Sequence, residues 1–444
     1  MHLTADGTTT RLRAYGPRQL DEIARRHPLP DAARETVRLL SRVLPFRVNE
    51  YVLSELVDWT RVPDDPMYQL VFPQHGMLDE ADMAVLRRLA GRRDSDPEVV
   101  ATVRAIRGRL NPHPGGQQEL NVPRGDSGPV PGLQHKYRET VLYFPGQGQT
   151  CHTYCTYCFR WAQFVGDADL RFAARGPEGL IRYLRGHPDV SDVLVTGGDP
   201  MVMTADRLRT HLEPLLDVPT VRTVRIGTKS PAYWPQRFVS DADADDVLRL
   251  FERIVGSGRI LAVLAHFSHP RELATPVARR ALERIRATGA VVYCQAPLIR
   301  HVNDSAATWS ALWRAELTAG LVPYYMFMAR DTGPHTYYRV PIARAVDIFQ
   351  DAYRDLPGLA RTVRGPVMST TVGKVVVDGV ERLPEGRYFR LRLLQARDPR
   401  LVGRPFRAPW SPDAAWLDDL RPEPGDDEPL RAALTAGSRT EAVR

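Results

Sequence analysis

The chain has 444 residues, with 60 Lys+Arg against 53 Asp+Glu, 43% hydrophobic residues, 25% charged residues and four cysteines. That length supports one large domain or two ordinary ones around a real core, and the composition excludes a largely disordered chain. No uncharged apolar run approaches the roughly 20 residues of a membrane helix, and MHLTADGTTTRLRAYG lacks the apolar core of a secretion signal. A cytoplasmic protein without a membrane partner is expected. The net charge of +7 is spread along the chain with no basic run, which sets nucleic acid aside. Only three of the basic residues are lysine: Lys136, Lys229 and Lys374. Arginine is never deprotonated in proteins and cannot replace a nucleophilic lysine, so each surviving lysine raises a question.

From Gln19 to about Gly91 the pattern is helical: LDEIARRH, AARETVRLLSRVL and ADMAVLRRLAGR place apolar residues three and four apart. Between them RVPDDPMYQLVFPQHG reads as a loop. PEVVATVRAIRGRL predicts a further helix, and Asn111 to Gly132, rich in Pro, Gly and Asn, an irregular crossing segment. After Gln134 apolar runs alternate with amphipathic helices. The strands expected are 140–144, 192–198, 223–229, 261–267, 291–298 and 323–328. Such alternation argues for parallel βα units, as a barrel or an open sheet, and six units suit a partial barrel better than a closed one. From Val340 a helix leads into short strands with Gly turns. The last forty residues, rich in Pro, Asp and Gly, are expected to be loosely ordered.

Three of the four cysteines fall within eight residues, Cys151-His-Thr-Tyr-Cys155-Thr-Tyr-Cys158, directly after the first strand of the series. A thiol cluster this tight in a cytosolic protein should hold metal or do redox chemistry. Structural zinc wants four ligands. Cys294 is far away, on another strand, and reads as a core residue; His152 would need a contorted loop. Three thiolates suit a [4Fe–4S] cluster with one iron left open to a small molecule.

C-x3-C-x2-C at this place resembles the signature of the radical SAM superfamily. There the open iron binds S-adenosylmethionine, whose reductive cleavage yields a 5′-deoxyadenosyl radical. Gly197-Gly198-Asp199 after the second strand resembles that family's Gly-Gly-acid motif, implying backbone approach to the ligand and an acid for its ammonium. The segments PVPGLQHKYRETVLYF, CHTYCTYCFR, TGGDP, RIGTKSPAYWPQRF, HFSHP, LIRHVNDS and PYYMF occur in the order seen in the lysine 2,3-aminomutase family. LPFRVNEYVLSELVDWTRVPDDP is similar to its helical N-terminal region.

The resemblance implies an isomerase that moves the amino group of a free α-amino acid to the β-carbon. It would use the cluster, S-adenosylmethionine and pyridoxal phosphate, an electron donor such as flavodoxin or ferredoxin, and a homo-oligomeric assembly. Carried over residue by residue, Cys151, Cys155 and Cys158 would hold the cluster, and Arg160 would pair with the substrate carboxylate. Asp304 would hold a substrate side chain or, on its local sequence, cap a helix. Lys374 in STTVGK would carry the pyridoxal phosphate, whereas Lys136 and Lys229, where relatives can carry arginine, read as ordinary cations. His266 and Gln295, at strand ends, are candidates for the cofactor pocket; His269 is a cap or a ligand. Asp331 and Arg339 read either as substrate-side residues or as solvated loop. The run 363–373 departs from the family's, with Arg364 near a position where lysine mutases carry an aspartate, so lysine is doubtful as substrate.

The expected fold is α/β: a partial (β/α)6 TIM-like barrel over 134–340, a helical N-terminal region over 1–133, a β-containing extension over 341–403 that carries the candidate lysine, and a loosely ordered tail over 404–444. The rival reading is a radical SAM enzyme of this lineage without pyridoxal phosphate, performing another hydrogen abstraction on an amino acid or related small molecule. A second rival is an electron-transfer or sensing protein.

Overall fold

The computed structural model describes residues 12–111, 121–125, 128–167 and 170–442, with side chains to 435. Much of the expected crossing segment, 112–120, lies outside the described residues. Among these residues no helix is long and apolar enough to cross a membrane.

The first hundred residues form helices α1 (Leu20–Arg26), α2 (Asp31–Leu40), α3 (Pro66–Val71), α4 (Glu80–Arg88) and α5 (Pro97–Leu110). Two-residue strands β1 (Ala14–Tyr15) and β2 (Val48–Asn49) pair antiparallel. Helix α3 corrects the loop expected there. Asp65 accepts from the Met67 and Tyr68 amides with Pro66 at the first turn, a strong helix start, and all six α3 residues are buried. A small hairpin, β3 (Arg124–Gly125) and β4 (Gly128–Pro129), follows.

The rest is built on one eleven-stranded sheet. Its strands are β5 (Leu133–Tyr137), β6 (Thr140–Tyr143), β7 (Asp192–Val195), β8 (Thr223–Thr228), β9 (Ile260–His266), β10 (Val291–Leu298), β11 (Val322–Met328), β12 (Arg364–Ser369), β13 (Gly373–Leu383), β14 (Gly386–Ala396) and β15 (Pro405–Pro409). All six strands expected from the sequence are present as β6 to β11, paired parallel in chain order. Between them lie α6 (Glu178–Gly186), α7 (Ala205–Leu212), α8 (Ser230–Tyr233), α9 (Ala244–Gly256), α10 (Pro276–Ala287) and α11 (Ala306–Thr318). After β11 come α12 (His335–Tyr338) and α13 (Ile342–Arg354), which leads to β12, a seventh parallel strand. The order never reverses, so right-handed crossovers place the helices on one face, unlike a doubly wound sheet.

The burial pattern records the two faces. In β9 five consecutive residues, Leu261 to Ala265, are buried, as expected of a strand covered on both sides. In β8 Val224, Ile226 and Thr228 are buried while Thr223, Arg225 and Gly227 alternate to the other face. That second face is enclosed by curvature. Lys136 of β5 donates to the Ser369 hydroxyl of β12 at 2.9 Å. The two strands are seven steps apart in the sheet, roughly 34 Å if it were flat. The sheet therefore curls until β5 and β12 meet through side chains.

The C-terminal strands are continuous with this sheet. β12–β13, β13–β14 and β14–β15 pair antiparallel. The tail expected to be loosely ordered is anchored: β15 joins the edge, and Ala414, Trp416, Leu417, Leu420, Leu430 and Leu434 are buried. Sparse apolar residues among Pro and Asp suffice as anchors when each finds a pocket; burying one contributes about 1.5–3 kcal/mol. Its last helix is α14 (Glu428–Ala442).

Candidate active site

The three thiols sit in the loop after β6, and that loop is held from two sides. From the N-terminal region, Arg47 donates to the Thr150 hydroxyl at 3.0 Å and the Cys151 carbonyl at 3.2 Å, and its own carbonyl accepts from the Tyr154 amide. The Asn49 amide donates to Thr153, and the Thr156 amide to the Leu70 carbonyl. From the sheet side, the Asp199 amide donates to the Thr150 carbonyl at 2.7 Å. A Cβ on Gly198 would run into the Thr150 backbone, so glycine there is what lets the loop and the end of β7 touch. Arg47 and Asn49 carry no motif of their own; LPFRVNE betrays their role only through its resemblance to the family's N-terminal region.

Asp199 is buried and fully engaged. Its carboxylate accepts from the Met201 amide, the Thr228 hydroxyl at 2.6 Å, the Lys229 amide and the Ser230 hydroxyl. It ties the ends of β7 and β8 to the cysteine loop. His152 is turned to the same network, with Nδ1 3.2 Å from the Ser230 hydroxyl, and burial pulls its pKa down to about 4.

Burial pushes all three thiols up, Cys158 to about 12. Each has one cation opposing that: Arg47 at Cys151, Lys229 at Cys155 and Arg160 at Cys158. Among the described residues no three His, Cys, Asp or Glu side chains converge on a single ion. In a cuboidal cluster each thiolate takes a different iron, and three sulfurs with three flanking cations fit that group. Cys294 is buried in the core, as expected.

Arg160 follows the loop. Its guanidinium lies over the Phe144 ring at 4.1 Å and donates to Gln163, while its Nε is buried without a partner. Burial lowers it to about 10, so it stays charged at neutral pH. A buried guanidinium with an unspent donor is suited to a carboxylate. His266 and Gln295 are register partners on β9 and β10, and their side chains meet at 3.0 Å. Burial holds His266 at about 4, hence neutral. His269 caps the turn Pro270–Leu273 by accepting from the Arg271 amide.

Of the two lysines expected to be ordinary cations, Lys229 has an ion pair and Lys136, among the described residues, has none. Lys229 is buried 2.6 Å from Glu272, over the Tyr233 ring. Lys374 and Lys136 share the concave face. Lys374 donates to Gln395 at 2.7 Å and lies 4.6 Å from the Tyr325 ring and 5.6 Å from that of Tyr137. Burial, then the charges of Lys136, Arg225 and Arg364, hold its amine well below the ordinary lysine range. Burial brings Lys136 down to about 7. Arg225 pairs with Asp192 through two donors, and Arg364 lies 4.4 Å from both Tyr324 and Tyr325. An amine held below its ordinary range by burial and cationic neighbours, with aromatic rings and surrounding guanidinium groups, fits an anionic, ring-bearing carbonyl cofactor such as pyridoxal phosphate.

Arg330, after β11, joins the two ends. Its guanidinium is 5.7 Å from the ring of Phe159, next to Cys158, and 6.0 Å from that of Trp416 in the tail, and its charge acts on Lys136. Asp304 is not gathered in; it is exposed, and the cap of α11 is its neighbour Ser305. Arg339 is spent on the Asp413 carbonyl. Asp331 lies in the same loop as Arg330.

Comparison with known proteins decides the family. The chain is 32% identical over 392 residues, 88% of its length and 91% of the relative's, to the "Putative L-lysine 2,3-aminomutase" of Aquifex aeolicus. The chain belongs to the lysine 2,3-aminomutase-like radical SAM family. L-lysine 2,3-aminomutases of Fusobacterium nucleatum (28%) and Acetoanaerobium sticklandii (29%) match over 218 residues, 49% of this chain and 48% and 50% of theirs. No family model matches. The crystal structure of Streptococcus suis SuiB aligns at a TM-score of 0.35 and 12% identity over 61% of this chain and 55% of that one, too distant to carry an argument.

Proposed function

We propose that this chain is an amino acid 2,3-aminomutase that uses a [4Fe–4S] cluster, S-adenosylmethionine and pyridoxal phosphate on a partial (β/α)6 barrel. The observation that carries it is Lys374: a buried amine, held below its ordinary range, among Tyr137, Tyr325 and Phe327 on the enclosed face. When bound, the cluster and S-adenosylmethionine supply a hydrogen-abstracting radical, and pyridoxal phosphate supplies a π-system across which nitrogen can migrate. Cys151, Cys155 and Cys158 would hold the cluster, and Arg47, Lys229 and Arg160 would offset its negative charge. Arg160 would orient the substrate carboxylate, and Lys374 would hold the pyridoxal ring between aromatic side chains that exclude water. His266 and Gln295 would face the nucleoside side with a neutral imidazole. Arg364 beside Tyr324 and Tyr325 disfavours a cationic substrate side chain, which turns the substrate search from lysine toward neutral or acidic α-amino acids.

The test is borohydride trapping. Anaerobically reconstituted protein is incubated with pyridoxal phosphate, reduced, digested and mapped by mass spectrometry. A pyridoxyl adduct at Lys374 supports the reading. Unmodified Lys374 in protein that still cleaves S-adenosylmethionine removes the pyridoxal step and leaves another hydrogen abstraction as the better account.

A further inference from the structure

Lys136 and Lys374 come from β5 and β13, eight strand steps apart in the sheet, yet they occupy one site. Ser369, whose hydroxyl accepts from Lys136 at 2.9 Å, is the direct ladder partner of Lys374 across β12 and β13. Directly opposed residues of an antiparallel pair project on the same face with Cβ atoms about 5 Å apart. Both amines also lie near the Tyr137 ring, Lys136 at 5.7 Å and Lys374 at 5.6 Å. A Cβ on Gly373 would meet the Gln395 carbonyl, and its φ of +151° suits glycine, so the turn sets Lys374 close against β14.

Neither amine has an ion pair among the described residues. Lys136 is bonded to a hydroxyl and Lys374 to an amide oxygen. Around them stand Arg225 of β8, Arg364 of β12, and Arg330 and Arg397 from the flanking loops, with Tyr137, Tyr324, Tyr325 and Phe327. Asp192 of β7 is the carboxylate acting on Lys374, and Arg225 already binds it. Two ammonium groups in such a place repel each other and their guanidinium neighbours, and burial strengthens the repulsion.

We propose that Lys136 is a positioning residue for Lys374: the two amines form a coupled pair that carries at most one proton, and charge on Lys136 keeps the Lys374 amine neutral and nucleophilic. The use made of that nucleophile rests on the pyridoxal reading, whereas the coupling itself does not. Burial brings Lys136 to about 7, so its charge responds to pH near neutrality. Elsewhere this chain uses arginine almost without exception; an amine at position 136 can hand its charge over, and a guanidinium cannot.

The test follows the reactivity of Lys374 with pH in protein carrying no cofactor. Reductive methylation with formaldehyde and borohydride is run across pH 6 to 10, and methylation at residue 374 is quantified by mass spectrometry. In Lys136→Gln the midpoint for Lys374 should move up by about one pH unit or more. In Lys136→Arg, which keeps the charge at every pH, it should stay at or below that of the unsubstituted protein. An unchanged midpoint in Lys136→Gln overturns the proposal. So does an upward move in Lys136→Arg, which would mark position 136 as merely a packing site; that variant alone decides the matter if Lys136→Gln does not fold. Pyridoxal trapping is scored separately: no adduct at Lys374 with the Lys136 dependence intact removes the cofactor reading and leaves the coupling standing.

Discussion

Beyond the C-terminal ends of β8 and β9, Lys229 sits 2.6 Å from the fully buried carboxylate of Glu272, which also accepts from the His269 amide. At the β5–β12 seam, Lys136 and Lys374 face hydroxyl, amide and ring instead of a carboxylate. The same side chain is thus put to two uses. A paired ammonium sits beside a thiol with its countercharge, whereas Lys374, with no ion pair among the described residues, is held below the ordinary lysine range by burial and by its cationic neighbours. Pairing with a carboxylate, not residue type, separates the two regions.

The largest effects are expected from removing one group from each region. Cys151→Ala, Cys155→Ala or Cys158→Ala should abolish both iron–sulfur absorption and S-adenosylmethionine cleavage; a variant that still cleaves at the unsubstituted rate sinks the cluster assignment. Lys374→Arg should lose all pyridoxal trapping while keeping its cluster and S-adenosylmethionine cleavage, so that the two regions fail independently.

A third experiment asks what the paired lysine is worth. Lys229→Met leaves the buried Glu272 with its amide donors but no countercharge, and should cost about 3–5 kcal/mol, read as a lowered urea midpoint. The corresponding change at the seam, Lys136→Met, removes no ion pair and should cost clearly less. Equal costs would mean that pairing is not what distinguishes the two sites.

Acid should act on the histidines of the β9 end. His266 and His269 are held at about 4 by burial, with Lys229 and Arg271 adding to it. An unfolded chain takes up these protons near pH 6.5 while the folded one refuses them. Their contribution is whole above about pH 6.5 and is lost as pH falls toward 4, by up to about 3 kcal/mol for each histidine. Denaturation midpoints measured across that window check it, and His269→Asn, which keeps a capping side chain without the titration, should flatten part of the slope. The smallest effect separates two neighbours: Ser305→Ala should cost about 1 kcal/mol by uncapping α11, and Asp304→Ala under about 0.5 kcal/mol.

The six parallel strands, most helices and the cysteine loop were legible in the sequence, because hydrophobic periodicity and short motif spacing are local properties. Resemblance brought Lys374 forward for the same reason: STTVGK is a contiguous segment. What local pattern could not show is anything that depends on the sheet curling. Lys136 looked ordinary in HKY because its partner, Ser369, lies 233 residues away. The loop around Met67 hid a helix because its apolar run is short, and the tail hid its anchors because they are spaced among Pro and Asp.

Asp199 and Asp304 show the same limit at single residues. Asp199 belongs to a recognisable motif, yet only packing revealed that its oxygens are taken by Thr228, Ser230 and two amides. Asp304 was offered as a substrate anchor or a cap, and the backbone gave the cap to Ser305. The βα series, the thiol spacing and the scarcity of lysine are all present in the local sequence. Which lysine meets a carboxylate and which meets hydroxyl, amide and ring is settled by the curled sheet, because neighbours in space and exclusion of water are not written in a run of adjacent residues.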